Sequence, residues 1–464
     1  MKTFPVKEKF THQTHGVLSF PMWGWRFTKR IRRRALHLSR SHARGVILGF
    51  VFAWILLFLG VGPALAETEP SKHTADLSIR HLISRVEALR GLTFKRPVIQ
   101  KELDEVTLSR LLKKAFEERA EELPAVDRIL KLLGMLPLDQ SLRSLLEPLY
   151  KQQVAGVYDP RSRTLYVRSN LVVEGSAETI LVHELTHALV DQNFDLKRYI
   201  YDPRVVHESE RQIARQAVAE GDATLVMLVY QMNQIGMNVT VEDLVQLEPD
   251  MMEGMLGMAT LLDQGLSGVP PWLVRLFVAP YIDGYRIVVS AYRKGGWKAV
   301  NDLYRRPPQT TEHLLHPGRY FDGEPIRTVT FPSDSNDSRV IYEDVFGELS
   351  WRLFLQHWLS EDEARKATDG WDGDRCRLIH EANGWYRFEA MTVWDNGDEA
   401  GEFAAAVRSA MQRLQKARPK PATEYDVRVE KDRVFIRVRA NLATGLRRDR
   451  RPTGTGDQVS GLPR

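Results

Sequence analysis

The chain has 464 residues, 43% of them hydrophobic and 27% charged, a composition that excludes a disordered or fibrous chain and allows two or three globular domains. Its formal charge of +5 suggests nucleic acid until it is split by region: residues 1–44 hold 11 Lys or Arg against the single acid Glu8, and the remaining 420 residues carry 54 bases against 59 acids. The basic balance belongs to the amino terminus, so nucleic acid is not an expected partner.

The basic run Lys29 to Arg34 leads into an apolar stretch, Gly45 to Ala66, that ends in Ala64-Leu65-Ala66 before the polar Glu67-Thr68-Glu69-Pro70. A positive arm, an apolar segment and small residues at the last and third-last positions are expected of a secretory signal. The stretch is also near the roughly 20 residues that span a bilayer, which leaves an uncleaved anchor with the basic arm inside as the alternative. The Ala-x-Ala site and Pro63 favour cleavage. Either way residues 67–464 are expected outside the cytoplasm, secreted or at the periplasm or cell surface, with a membrane as partner only if the segment is retained. The one cysteine, Cys376, permits no disulfide within the chain.

Residues 76–151 read as mainly helical, with apolar spacing at Leu108, Leu111, Leu112, Ala115 and Phe116, and a short strand at Arg96 to Gln100. Val154 to Tyr158 and Thr164 to Val167 read as a hairpin around Asp159-Pro160-Arg161-Ser162. Helix resumes near Ser176, an N-cap residue followed by Glu178, and runs to about Gln192. A second long helix is expected from Asp202-Pro203 to about Gln234, and more helix over 240–300, broken by Gly265, Gly268 and Pro270-Pro271. The stretch Trp272 to Tyr281 reads first as core, with a hydrophobic substrate pocket or a membrane contact as alternatives. After a Pro- and His-bearing loop, Arg306 to Tyr320, a separate unit begins near Thr328. It holds a helix Gly347 to Leu359, a hairpin at Asn383-Gly384, a helix Asp398 to Lys416 and a hairpin at Lys431-Asp432.

The expected class is α+β: a mainly helical zincin-like core with a short sheet or hairpin, plus a smaller C-terminal α+β unit. The boundaries are a basic arm and signal or anchor over 1–66, a mainly helical N-terminal region over 67–150, a metallopeptidase core over 151–325, the C-terminal unit over 326–440 and a disordered basic tail over 441–464.

The chemistry concentrates at His183-Glu184-Leu185-Thr186-His187. On a helix, positions i and i+4 share a face about one turn apart, so the two imidazoles can meet one ion with Glu184 beside them as general base. Catalytic zinc takes three protein ligands and keeps a position open for water. A histidine six positions after His187 would complete the ligands on the extended motif, but residue 193 is Asn. Glu220 is the better candidate: it shares a helical stripe with Ile213, Ala217, Thr224 and Met227, where a carboxylate is expensive without a partner. An arginine partner is the structural alternative. Gly221 beside it permits close helix packing.

These residues resemble the gluzincin pattern, thermolysin-like zinc metallopeptidases in which a glutamate on a second helix, here within Glu220-Gly221-Asp222-Ala223, completes the site. The resemblance implies one Zn2+ per chain, a peptide or protein substrate, and a strand before the zinc helix that pairs with extended substrate, here Arg163 to Arg168 with Tyr166. Roughly residues 80–415 also resemble an uncharacterised family of secreted bacterial metallopeptidases. The matching strings include Ala155-Gly156-Val157-Tyr158-Asp159-Pro160, Leu185 to Leu196, Glu220 to Thr224, Gly295-Gly296-Trp297, Pro307 to Pro317 and Thr392-Val393-Trp394-Asp395.

An oxyanion donor is sought first at His316, then at His313, Tyr158 or Tyr166, although a loop histidine is more often a structural hydrogen-bonder. Asp191 and Asp222 are candidates to orient a ligand imidazole, with capping or surface roles as alternatives. The competing functional class is a non-catalytic zinc-containing envelope binding or assembly module, in which a closed site would want a fourth ligand and Glu184 would have no task.

Overall fold

A computed structural model describes residues 72–442 apart from 119, 121, 153–155, 169–175, 202–207, 248–253, 255–267, 332–338, 382–383 and 421. The basic arm, the apolar stretch, the expected helix start at Asp202-Pro203 and the residues after 442 lie outside the described set. No helix among the described residues is long and apolar enough to cross a membrane.

The fold is α+β, with two sheets among the described residues. The N-terminal segment contributes α1 (Lys72–Arg90), β1 (Ile99–Leu103), α2 (Glu105–Glu118), α3 (Glu122–Leu132) and α4 (Leu142–Gln152). A hairpin of β2 (Gly156–Asp159) and β3 (Thr164–Arg168) follows, then α5 (Ser176–Phe194), α6 (Leu196–Ile200), α7 (Ser209–Gln234), α8 (Val241–Gln246) and α9 (Pro271–Arg305). Helix α5 is apolar on nearly every side, and Leu181, Val182, Leu185 and Leu189 are completely buried. A helix of that kind must be enclosed, and α1, α7 and the β2–β3 hairpin enclose it.

The tightest contact is between α7 and α9. A Cβ on Gly221 would stand 2.1 Å from the Gly284 carbonyl, and one on Gly284 would stand 1.9 Å from the Ala217 oxygen. The two backbones touch where both side chains are missing, so the close packing expected of Gly221 finds its partner in Gly284. Helix α9 then bends at Gly295-Gly296, where Gly296 adopts φ 60.

The small sheet has the order β1-β3-β2, with β1 parallel and β2 antiparallel to β3. This corrects two expectations. The first strand lies at Ile99–Leu103 rather than 96–100. More consequentially, β3 is central, with both hydrogen-bonding edges occupied, so it cannot pair with an extended substrate, and Tyr166 packs instead in a cluster with Leu103 and Leu108.

After the short helices α10 (Glu312–Leu315) and α11 (Pro317–Asp322), the chain enters the second sheet. It comprises β4 (Val340–Asp344), α12 (Gly347–Trp358), α13 (Glu361–Thr368), β5 (Trp371–His380), β6 (Trp385–Trp394), α14 (Gly397–Ala417), β7 (Thr423–Glu430) and β8 (Arg433–Asn441), in the strand order β4-β5-β6-β8-β7. Trp351, Phe354, Phe388, Trp394 and Phe403 fill its core. The Asp374 carboxylate organises one end, accepting from the backbone N–H groups of Phe346 and Gly347 and from the Trp351 and Trp371 indoles at 2.7–3.0 Å. The segment expected as a separate N-terminal region divides its packing: α1 and β1 join the first unit, whereas Leu130, Leu132, Leu133 and Leu136 join the core of the second.

Helix α7 docks on that second unit at its start. Ser209 N–H donates to Asp344 Oδ1 at 3.0 Å, and the buried Glu210 carboxylate accepts from both N–H and hydroxyl of Thr311. Gly347, at φ +81, leaves room for that carboxylate, which lies 2.1 Å from where a Cβ would be.

These contacts can be tested by substitution. Gly284→Ala forces backbone apart and is expected to destabilise the protein by at least ~2 kcal/mol, read from thermal unfolding. Gly401→Ala, on α14 with nothing within 4 Å of its added Cβ, should instead be neutral or stabilising. Burial pushes the Glu210 carboxyl up to about 8, so the folded state holds a proton that the unfolded chain releases above its ordinary value of 4.5. Stability from this group is therefore undiminished below about pH 4.5 and falls as pH rises toward 8. Each tenfold difference in proton affinity between the folded and unfolded chain corresponds to about 1.4 kcal/mol, so Glu210→Gln should raise stability at pH 8 by on the order of a few kcal/mol and change little at pH 4.

Candidate metal centre

His183 and His187 stand one turn apart on α5, and their rings turn edge to face with centroids 4.7 Å apart. Their Nε2 atoms converge to 3.0 Å. Across the gap, α7 projects Glu220, whose Oε2 lies 3.1 Å from His183 Nε2 and 3.3 Å from His187 Nε2. Among the described residues this is the group of His, Cys, Asp or Glu able to hold a metal ion. Donors at ~2.0–2.1 Å from a tetrahedral zinc ion are roughly 3.3 Å from one another, so the three atoms already stand within a few tenths of an ångström of that spacing. Three acceptors drawn to one point fit a cation. His183 is 1% exposed, and its burial holds its imidazole below the usual value, in the neutral form a metal requires.

Without a metal, a proton takes the cation's part. Burial disfavours a charged His187, but the Glu220 carboxylate outweighs it and lifts the imidazole to about 9. Glu220 is held far below the usual carboxylate range by the same pairing, in spite of its own burial.

Glu184 points to the hairpin side of α5. It is 8% exposed, and its Oε2 accepts the backbone N–H of Tyr158 at 2.6 Å. Burial lifts the Glu184 carboxyl to about 7, against the opposing pull of His187 and the Tyr158 N–H.

The other named residues take different places. Asp191 does not reach a ligand imidazole; its two oxygens accept the Tyr158 hydroxyl and the Leu196 backbone N–H, each at 2.8 Å. Asp222 accepts from Arg90 Nε at 2.7 Å and from the Tyr304 hydroxyl at 2.8 Å, and it reaches His187 only through its charge. His316 pairs with Glu348 at 3.0 Å and faces Asp369 at 3.8 Å, tying the loop to the C-terminal unit. His313 is buried, accepts the Gln309 N–H at Nδ1 and is depressed to about 4 by that burial. Tyr166 is in the strand core described above.

Tyr281, expected in the core with the rest of its stretch, has its ring 6.0 Å from that of His183. Its neighbours Trp272, Leu273 and Ala279 are core residues. The separating clue is spacing: Tyr281 sits three positions before Gly284 and so shares the face of α9 that meets α7 beside Glu220.

A family model described as a domain of unknown function (DUF8575) matches residues 338–449, most of the C-terminal unit and the start of the tail, and clear of the metal-binding group. Among solved structures, the chain is similar to one from Chloroflexus aurantiacus described as a "putative hydrolase with a novel fold", at 15% identity and a TM-score of 0.34, over 62% of this chain and 98% of that one. A search of curated proteins finds no match.

Metal binding and proton binding compete at this centre, which sets its pH dependence. Because His187 is raised, its pairing stabilises the metal-free protein fully below about pH 6.5 and is lost as pH rises through about 9; because Glu220 is depressed, its share is present above about pH 4.5. The rise in unfolding temperature on adding Zn2+ is therefore expected to be small at pH 5.5 and to grow toward pH 8.5, with affinity rising up to about tenfold per pH unit. A pH-independent increment would place the ion elsewhere.

Proposed function

We propose that this chain is a zinc-dependent peptidase of the gluzincin type, acting on peptides or proteins outside the cytoplasm. The observation that carries the reading is the pairing of a three-donor metal group with a buried carboxylate, Glu184, one residue from the first ligand and fixed by the Tyr158 N–H. A structural site would be closed by a fourth protein donor, whereas among the described residues this group comprises three donors. A zinc ion held by His183, His187 and Glu220 would supply Lewis acidity toward a scissile carbonyl and acidify a water.

The remaining work falls to the chain's own groups. With Oε2 held by Tyr158, the Glu184 carboxylate keeps its other oxygen to take a proton from the attacking water, which it then delivers to the leaving amine. For a developing oxyanion, His316 Nε2, His313 Nδ1 and the Tyr158 hydroxyl are already hydrogen-bonded to Glu348, Gln309 and Asp191, and the Tyr281 ring stands 6.0 Å from that of His183. Location outside the cytoplasm rests on the sequence of residues 1–66, which supports secretion or, if the segment is retained, membrane anchoring.

The test is metal analysis and cleavage profiling of wild type against Glu184→Gln. Equal zinc content with at least ~10³-fold loss of peptide hydrolysis is expected of the variant. A zinc-loaded wild type inert toward a broad peptide library would sink the peptidase reading in favour of a non-catalytic envelope module.

A further inference from the structure

On the Glu184 side of α5 lies a cleft of about 250 Å³ lined by Arg96, Tyr158, Ser162, Arg163, Ala188 and Gln192 among others. Each wall is tied to the zinc-helix candidate. Gln192, two turns beyond Glu184, accepts the backbone N–H groups of Lys95 and Arg96 at 2.8 and 3.0 Å and donates to the Arg96 carbonyl at 3.0 Å, which fixes the segment carrying Arg96 against α5. The opposite wall is the β2–β3 turn. There Asp159 accepts from Arg161 N–H and from the Ser162 hydroxyl, and Arg163 adopts φ 53, a left-handed conformation a non-glycine residue seldom takes. Arg163 is thereby aimed back at α5, where Asp191 and Asp195 lie 3.8 and 3.9 Å away, close enough to steady its charge and beyond hydrogen-bonding reach. Two guanidiniums from separate segments thus border one cleft. Tyr158 lies between them, its N–H on Glu184 and its hydroxyl on Asp191.

We infer that this cleft is a binding subsite for a carboxylate of the bound peptide, clasped by Arg96 and Arg163 and joined to Glu184 through Tyr158. Guanidinium forks match carboxylates in shape as well as charge, so a neutral isostere loses the charge-assisted bonds. The carboxylate has two possible sources, an acidic side chain or the peptide's C terminus, and the inference rests on the peptidase reading for the identity of the ligand.

Binding is measured without turnover, using full-length zinc-loaded protein carrying Glu184→Gln and hexapeptide pools labelled with the uncharged dansyl group. One fixed position is Glu or Gln, the others are randomised without further acids, and each pool is made with an amidated or a free C terminus. At least one carboxylate-bearing pool should bind roughly tenfold or more tightly than the neutral Gln amide, with the advantage shrinking as salt rises. Which pool gains tells side chain from terminus. Arg96→Gln and Arg163→Asn, the latter keeping a residue type that tolerates positive φ, should each remove most of the advantage while leaving the unfolding midpoint and zinc content unchanged. Four pools that bind alike or not at all, or an advantage that survives both substitutions, would overturn the subsite. Selective binding by a wild-type protein that cleaves nothing would overturn the peptidase reading and leave the subsite standing.

Discussion

The contact between Gly221 and Gly284 is the constraint on which the metal centre depends. Metal ligands must be positioned to a few tenths of an ångström, and the three donors come from two helices that are not joined by a short turn. Glu220 immediately precedes Gly221, so the depth to which α7 sinks against α9 sets where its carboxylate stands relative to α5. With no Cβ at either glycine the backbones meet directly, and a packed backbone has less freedom than two interdigitated side chains. The same face of α9 carries Tyr281 to the His183 ring, so one contact places groups from two helices at the site.

Beneath this lies a second constraint of a different kind. Arg90 and Asp222 are both fully buried and paired at 2.7 Å, with Arg90 Nη2 donating to Asn301, the Tyr304 hydroxyl donating to Asp222 and the Trp297 ring stacked 4.3 Å from the guanidinium. Desolvating two charges offsets much of their attraction, so such a pair is better understood as specifying a geometry than as adding stability. It joins α1, α7 and α9, and only one rotation of α7 lets Asp222 meet Arg90 while Glu220 meets the histidines. The buried charge of Asp222 also favours a cation at His187, whether that cation is a proton or a metal.

How much of this is legible in sequence depends on whether the determining contact is local. The histidine pair needs only helical spacing, and Glu220 can be found because a carboxylate on an apolar stripe needs a partner. Helices Gly347–Trp358 and Gly397–Ala417 and the turn at Lys431-Asp432 match their expected positions to within a residue or so, since caps and turns are written in neighbouring residues. The central position of β3 is not legible. Its second neighbour, β1, pairs with it in parallel from some sixty residues upstream, and nothing in Thr164 to Arg168 records which edges will be covered. His316 and Asp191 draw attention as the right residue types at plausible spacing, yet their partners, Glu348 and the Tyr158 hydroxyl, come from other elements. Tyr281 is hidden by its neighbours, which are core residues.

The C-terminal unit bears on the metal centre through α7. Glu210 and Glu220 lie on that helix ten residues, or ~15 Å, apart. At the first, Thr311 grips the carboxylate; Leu349 N–H donates to the same threonine hydroxyl at 3.1 Å, and Gly347 clears the space around Glu210. At the second, Gly284 fixes depth and Asp222 fixes rotation. A rigid helix held at two separated points can neither turn nor slide without breaking one of them, and successive helical residues differ by ~100° in direction, so even a one-residue slip would aim Glu220 away from His183 and His187. The buried acid at the head of α7, costly in itself, therefore serves the geometry of the carboxylate three turns further along.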